Sequence, residues 1–255
     1  MRSGVASTSS FRFWLHGSLL LNLILFALPG VADSPTCKAS KLLDQALSTY
    51  GQTPKPNLEV LSSIRFFKEG KQNNSKTLRE LYQFPSRIRF EYQTDNTIAI
   101  VGTDGHHTWR ATEHGSTFQR PAHFIVPLRL RNLSAILKQA RSASAHVECL
   151  PGANHNLQRL LITLPTKEMI FLDLDPQSGL VYYYQGESPD TGSTDVIEVT
   201  ILEWKQVSGV WVASHFETRV GGHLATKTKM QRAKLPPHIP TSLFIPPHKM
   251  PANHQ

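Results

Sequence analysis

YQFPSRIRFEYQTDNTIAIVGTDGHHTW, Tyr82 to Trp109, is the stretch that decides the fold. After Pro85 the residues alternate, with Ile88, Phe90 and Tyr92 on one face and Arg87, Arg89 and Glu91 on the other, the period of a strand wetted on one side. Ile98 and Ile100 repeat that pattern. Thr103-Asp104-Gly105 then supplies a turn, because glycine tolerates positive φ and aspartate bonds the backbone two residues on, and a third strand carries Trp109. The apolar face of such a meander has to be covered, so the rest of the chain must provide the cover.

On the N-terminal side, Leu42, Leu43, Ala46, Leu47 and Tyr50 fall at helical spacing and Gly51 follows as a stop, which predicts a helix that caps the sheet. Pro54-Lys55-Pro56 forces an extended link. Leu58, Val60, Ile64 and Phe66 then share one face of a long first strand, with Glu59 and Arg65 on the other. Gly70 to Ser75 reads as a polar turn, and Lys76 to Phe84 as the returning strand.

On the C-terminal side, Thr112 to Phe118 has no clean period and reads as a loop. Pro127 sits where a first-turn proline is tolerated, and Leu130, Leu133, Ile136, Leu137 and Ala140 form the apolar stripe of a helix ending near Arg141. Six more strands are predicted at Leu157–Leu164, Glu168–Asp175, Leu180–Gln185, Val196–Gln206, Val210–Val220 and His223–Ala233, separated by breaks at Pro165, Pro176, 186–194, Gly209 and Gly221-Gly222. With only two helices to cover so many strands, the expected architecture is mainly β (α+β): one strongly curved antiparallel sheet wrapped around its helices. No repeat and no second domain is evident.

The first 32 residues read as a signal peptide. Arg2 and Arg12 precede the apolar run Leu19–Leu28, and Gly30-Val31-Ala32 offers the small residues that a signal peptidase needs. Pro29 and Gly30 close that run short of the roughly 20 residues that span a bilayer. Ser34-Pro35-Thr36 before Cys37 lacks the pattern of a lipid-attachment site, so the expectation is a soluble exported product of one domain, residues 33–255. Removing Arg2, Arg12 and no acid from 27 basic and 19 acidic residues leaves 25 against 19, a balance of +6. Such a surface suits transient contact with anionic headgroups, or simply solubility. Nucleic acid would require aromatic-studded basic strands or a known module, and neither is present.

Two cysteines, Cys37 and Cys149, lie beyond the leader, and in an oxidising compartment they are expected to pair. His146 beside Cys149 supplies too few ligands for a metal, and His106-His107 with Asp104 and His114 reads as a turn with exposed imidazoles, since neighbours on a strand point to opposite faces. No G-x-S-x-G, G-x-x-x-x-G-K or G-x-G-x-x-G is present, so nucleophile and nucleotide chemistry lack a starting point.

The order of a Pro-ended strand, an R-x-R-x-E-Y strand (Arg87 to Tyr92) and D-G-x-x-x-W (Asp104 to Trp109) resembles the periplasmic lipoprotein-sorting chaperones of the LolA/LolB type. Asp175-Pro176-Gln177-Ser178-Gly179 looks like the family's "D-P-x-T-G" hairpin, and Leu243-Phe244-Ile245-Pro246-Pro247 like its closing "F-x-x-P" element. The resemblance implies a half-open barrel whose hydrophobic cavity holds acyl chains of a lipoprotein or lipid, with inner- and outer-membrane transfer partners and no cofactor or enzymatic activity. It assigns the ligand surface to Ile64, Phe66, Ile88, Phe90, Ile98, Ile100 and Trp109, with Leu133, Ile136 and Leu137 from the second helix. The same residues also suit a sealed core, and the sequence leaves both open. An envelope sensor of the same fold is the alternative function, and a histidine-dependent metal hydrolase a third. One departure stands out: the latch arginine that precedes the strand-ending proline in the sorting chaperone is Phe84 here.

Overall fold

A computed structural model describes residues 37–51, 57–84, 86–93, 98–104, 107–112, 118–119, 133–142, 144–151, 156–165, 167–187 and 196–246. The leader, the turn residues Gly105 and His106, His114, and the predicted helix start at Pro127 and Leu130 lie outside these residues.

Among the described residues, thirteen strands form one antiparallel sheet. β1 (Asn57–Lys68), β2 (Lys71–Gln83), β3 (Arg87–Gln93), β4 (Ile98–Thr103), β5 (Thr108–Thr112) and β6 (Phe118–Gln119) run outward in sequence order. β7 (His146–Pro151), β8 (Gln158–Thr163), β9 (Met169–Leu174), β10 (Val181–Glu187), β11 (Ile197–Val207), β12 (Val210–Val220) and β13 (His223–Lys234) run inward from the opposite edge. β1 pairs with β13, so two meanders meet at mid-sheet, while β6 and β7 stand at the edges and the barrel stays open. Bulges at Leu61/Ser62, Phe66/Phe67, Ile201/Glu203 and Thr218/Arg219 interrupt the ladders, and a bulge bends its strand, which is how a long sheet acquires strong curvature. The expected half-open barrel is the observed architecture.

Two helices are described, α1 (Ala39–Gly51) and α2 (Leu133–Ala140). Leu42, Leu43 and Ala46 of α1 and Leu133, Ile136, Leu137 and Ala140 of α2 bury their stripes against Leu160, Ile162, Ile170, Leu172, Tyr184, Val199, Ile201 and Phe216. The D-P-Q-S-G turn seats α1. Asp175 accepts from the Gln177 amide at 2.9 Å and from the Ser178 hydroxyl at 2.8 Å, and Gly179 turns with φ +72°. A Cβ on Gly179 would lie 2.7 Å from the Gln45 carbonyl oxygen, so both the φ and the helix contact demand glycine. Tyr50, counted in the sequence only as an apolar helix position, accepts from the Val181 amide at 2.9 Å and sits beside Trp204, with ring centroids 5.6 Å apart. Cys37 and Cys149 form a disulfide with Cα atoms 6.0 Å apart, tying the start of α1 to edge strand β7.

Three local expectations change. Gly70 to Ser75 is not a polar turn: the hairpin turns at Glu69 and Gly70, with φ of 52° and 77°, and β2 starts at Lys71 because the ladder continues to the Lys68–Lys71 pair. Phe118 and Gln119 at the end of the predicted loop add to the sheet as β6, paired to β5. β7 was not predicted at all, since His146-Val147-Glu148-Cys149 shows alternation too short to separate from loop, and its pairing with β8 is what defines it.

Candidate functional site

Directly opposite residues in an antiparallel pair share a face, so the registers sort the side chains of the β1–β5 half. On the first face Ile64 lies between Thr228 and Lys76, Leu58 opposes Tyr82, and Tyr82 opposes Ile88. Val60 opposes Glu80, Glu80 opposes Phe90, and Phe90 opposes Val101. Leu58, Val60, Ile64, Leu78, Tyr82, Ile88, Phe90, Val101 and Val212 form one apolar cluster, against which Phe66, Phe84, Tyr92 and Met230 pack. None of the described helical residues belongs to it; both helices pack over the other half of the sheet. Ile64, Phe66, Ile88 and Phe90, four of the residues assigned to the ligand surface, are therefore brought together.

Ile98, Ile100 and Trp109 are not part of that cluster. Ile100 opposes Glu91, and Gly102 lies between Arg89 and Trp109, so this group occupies the opposite face, where Ile98, Ile100, Trp109 and Ala111 cluster. The physical reason is phase: the register of β4 on β3 sets which residues of β4 share a face with Phe90, and period-2 alternation alone does not carry a face assignment from one strand to the next. Leu133, Ile136 and Leu137 are buried in the helix-covered cluster rather than beside Phe90.

Nor is the second face simply wetted, as the alternation Arg87, Arg89, Glu91 suggests. Thr241–Phe244 forms a short 3-10 turn whose Phe244 is fully buried with Leu81 and Ile239. The Trp109 indole donates to the Phe244 carbonyl at 3.0 Å. Arg89, only 7 % exposed, donates to the Leu243 carbonyl at 2.7 Å and to Glu91 at 2.6 Å, with its guanidinium 5.7 Å from the indole. A Cβ on Gly102 would fall 2.5 Å from the indole, so glycine is required beneath that ring for space. The "F-x-x-P"-like element is thus a clamp over this face.

Beside the clamp runs a ladder of charges. Arg89 holds Glu91, Arg79 bridges Glu91 at 3.2 Å and Glu59 at 3.0 Å, and Lys234 reaches Glu59 at 3.1 Å. Burial acts to raise the Glu59 carboxyl, but hydrogen bonds and charge from Arg79 and Lys234 outweigh it and hold the group below its ordinary value. A depressed carboxylate contributes stability that is present above its unfolded-state pKa and lost as pH falls through the folded value. Urea titrations of the parent and Glu59→Gln should therefore differ by about 1 kcal/mol at neutral pH and converge in acid, below the ordinary Glu range. A gap that stays constant into acid would contradict the pairing.

The apolar face carries two polar interruptions. Glu80, between Val60 and Phe90, receives a hydrogen bond from the Tyr82 hydroxyl, and Phe84 stacks on the Tyr82 ring at 5.8 Å. Phe84 extends the aromatic wall. Thr228, at mid-sheet, is fully buried and its hydroxyl has no hydrogen-bond partner among the described residues. Elsewhere, Asp104 accepts from the His107 amide at 2.7 Å, which makes that motif a turn lock, while His146 contacts Glu148 and Cys149 is in the disulfide. Arg159 pairs with buried Asp173 at 2.5 Å on the far half of the sheet, a cross-strand pair away from the apolar face.

Neither a family model nor a curated protein sequence matches the chain. Solved structures do. A LolA superfamily protein from Nitrosomonas europaea superposes with a TM-score of 0.55 at 12 % identity, covering 82 % of this chain and 98 % of its own. A DUF1329 family protein from Desulfovibrio piger gives 0.57 at 7 % identity, over 77 % and 92 % of the two chains. A putative outer membrane lipoprotein-sorting protein domain from Vibrio parahaemolyticus gives 0.53 at 9 % identity, over 77 % and 93 %. With the open sheet, the two packed helices and these likenesses together, the chain has the LolA-like half-open barrel fold.

Proposed function

We propose that this chain is an exported, periplasmic carrier that shelters acyl chains of a lipoprotein or lipid on its apolar sheet face and passes them toward the outer membrane. In this reading residues 1–32 are the cleaved leader, residues 33–255 one domain, and no cofactor or enzymatic step is involved. The observation that carries the reading is the apolar face of β1–β3, built from Leu58, Val60, Ile64, Leu78, Ile88 and Phe90, broken by Glu80 and shared with none of the described helical residues. Largely apolar, concave surfaces with a few placed polar groups are what extended ligands bind. The fold it shares with a LolA superfamily protein and with a putative outer membrane lipoprotein-sorting protein domain supports the same assignment. Basic residues in excess suit passing contact with anionic membrane surfaces.

Two substitutions separate carrier from sealed core. Phe90→Asn places an amide on the ligand face and should weaken a fluorescent fatty acyl probe by about tenfold or more, a loss of about 1.4 kcal/mol or more. Ile100→Asn places the same amide under the opposite face and should lower stability by about 1–3 kcal/mol with the probe affinity of the folded protein unchanged. Native mass spectrometry of protein taken from its own envelope fraction should find an acyl species bound. A parent protein that binds no probe and carries no acyl species would end the carrier reading.

A further inference from the structure

We infer that the apolar face prefers an amphiphile with an anionic head, seated with the head between Lys76 and Thr228 and its chain running toward Leu58 and Ile88. The inference rests on the acyl-binding reading and adds the head-group class and the direction of the chain.

Burial along β1 and β2 sets the direction. Leu58, Val60 and Ile64 are buried, Phe66 is half-buried and Lys68 exposed, while on β2 Tyr82, Glu80 and Leu78 are buried, Lys76 half-buried and Lys71 to Ser75 exposed. The face therefore opens to water at the hairpin end. Lys76 stands at that rim, with its ammonium 5.9 Å from the centre of the Phe66 ring and Tyr92 6.3 Å beyond Phe66. Among the described residues no carboxylate pairs with it. Glu80, at the deep end of the same face, lies four residues away, roughly 13 Å along the strand. A carboxyl group there gives an anionic head no compensation, whereas an ammonium at the rim does, so an amphiphile of this charge has one favourable orientation.

Thr228 is the independent observation. It flanks Ile64 on the side away from Lys76, two strand spacings or roughly 10 Å from it across the sheet, and faces the same way. Its hydroxyl is fully buried and without a partner among the described residues, where nearly every other buried side-chain polar atom is satisfied. Phe216 pairs with it on the far side, so its immediate neighbours across the strands, Ile64 and Phe216, cannot accept or donate. A hydroxyl that is closed to water and lacks a protein partner is the kind of group a ligand oxygen satisfies. A carboxylate or phosphate oxygen accepting from Thr228 while facing the Lys76 ammonium uses both groups at once.

The test uses the full mature protein and three twelve-carbon probes: dodecanoate, dodecanol and dodecyltrimethylammonium, ranked by displacement of a fluorescent acyl probe at low salt. Dodecanoate should bind about tenfold more tightly than the alcohol, and the cation most weakly. Lys76→Gln should remove the preference for dodecanoate and leave dodecanol unchanged. Thr228→Val should weaken dodecanoate several-fold without lowering the melting temperature, and Thr228→Ser should restore affinity. Equal binding of all three heads, or a Thr228→Val variant with full affinity, would overturn the inference and leave the carrier reading standing. Failure of every chain to bind would remove both.

Discussion

Trp109→Ala lowers the unfolding free energy by about 3–5 kcal/mol, as large-to-small changes of buried aromatics do, and leaves acyl-probe affinity of the folded protein untouched. The indole is 1 % exposed and stands on the face away from Phe90. It fills the space over Gly102, holds the Phe244 carbonyl and supports the Arg89 guanidinium. Its removal therefore opens a void and leaves the C-terminal turn with one fewer tie, so the segment around Thr241–Phe244 should become protease-sensitive first. Denaturant unfolding, probe titration and limited proteolysis on the one variant check all three consequences. A large loss of probe affinity in folded protein would return Trp109 to the ligand face and contradict the registers.

Loss of the Cys37–Cys149 bond should cost about 2–5 kcal/mol. The bridge spans 112 residues, and the chain-entropy model assigns a loop of about that length roughly 4–5 kcal/mol. Its place in the fold makes the effect local as well as global. Cys37 lies two residues before α1 and Cys149 lies on β7, so the bond holds the helix to a strand whose one neighbour among the described strands is β8. The Cys37→Ser/Cys149→Ser variant should show a lower denaturant midpoint and faster hydrogen exchange in α1 and β7 than in β1 and β13. Peptide mapping without reductant should recover the two cysteines as one cross-linked pair from exported protein. Two freely alkylated thiols in that material would refute the bond.

The architecture was legible because it depends on local periodicity and punctuation. Alternation in Leu58–Phe66 and Ile88–Tyr92, helical spacing in Leu42–Tyr50, and turn chemistry at Asp175–Gly179 each act within a few residues, so the residues alone specify strand, helix and hairpin. The spacing of the two cysteines says nothing about their distance. Their pairing followed from compartment chemistry, and only the docking of α1 on β7 brings their Cα atoms to 6.0 Å. Strand β7 and the length of β2 are not legible locally because edge pairing and hairpin closure are decided by a partner strand, whose position no local pattern records.

The sequence by itself determined that this is a curved antiparallel sheet with too few helices to cover it, and that the strands have an apolar face to offer. Which face each strand turned inward was decided only by tertiary structure. Phe90 and Ile100 are equally apolar and both lie in well-formed strands, yet the register between β3 and β4 places them on opposite sides of the sheet. Arg89 looks solvent-facing for the same local reason, and the C-terminal turn buries it, with the two hydrogen-bond partners 154 apart in sequence. Faces are assigned by pairing and by what packs across them, both long-range properties, and so only Ile64, Phe66, Ile88 and Phe90 of the predicted set share one apolar cluster.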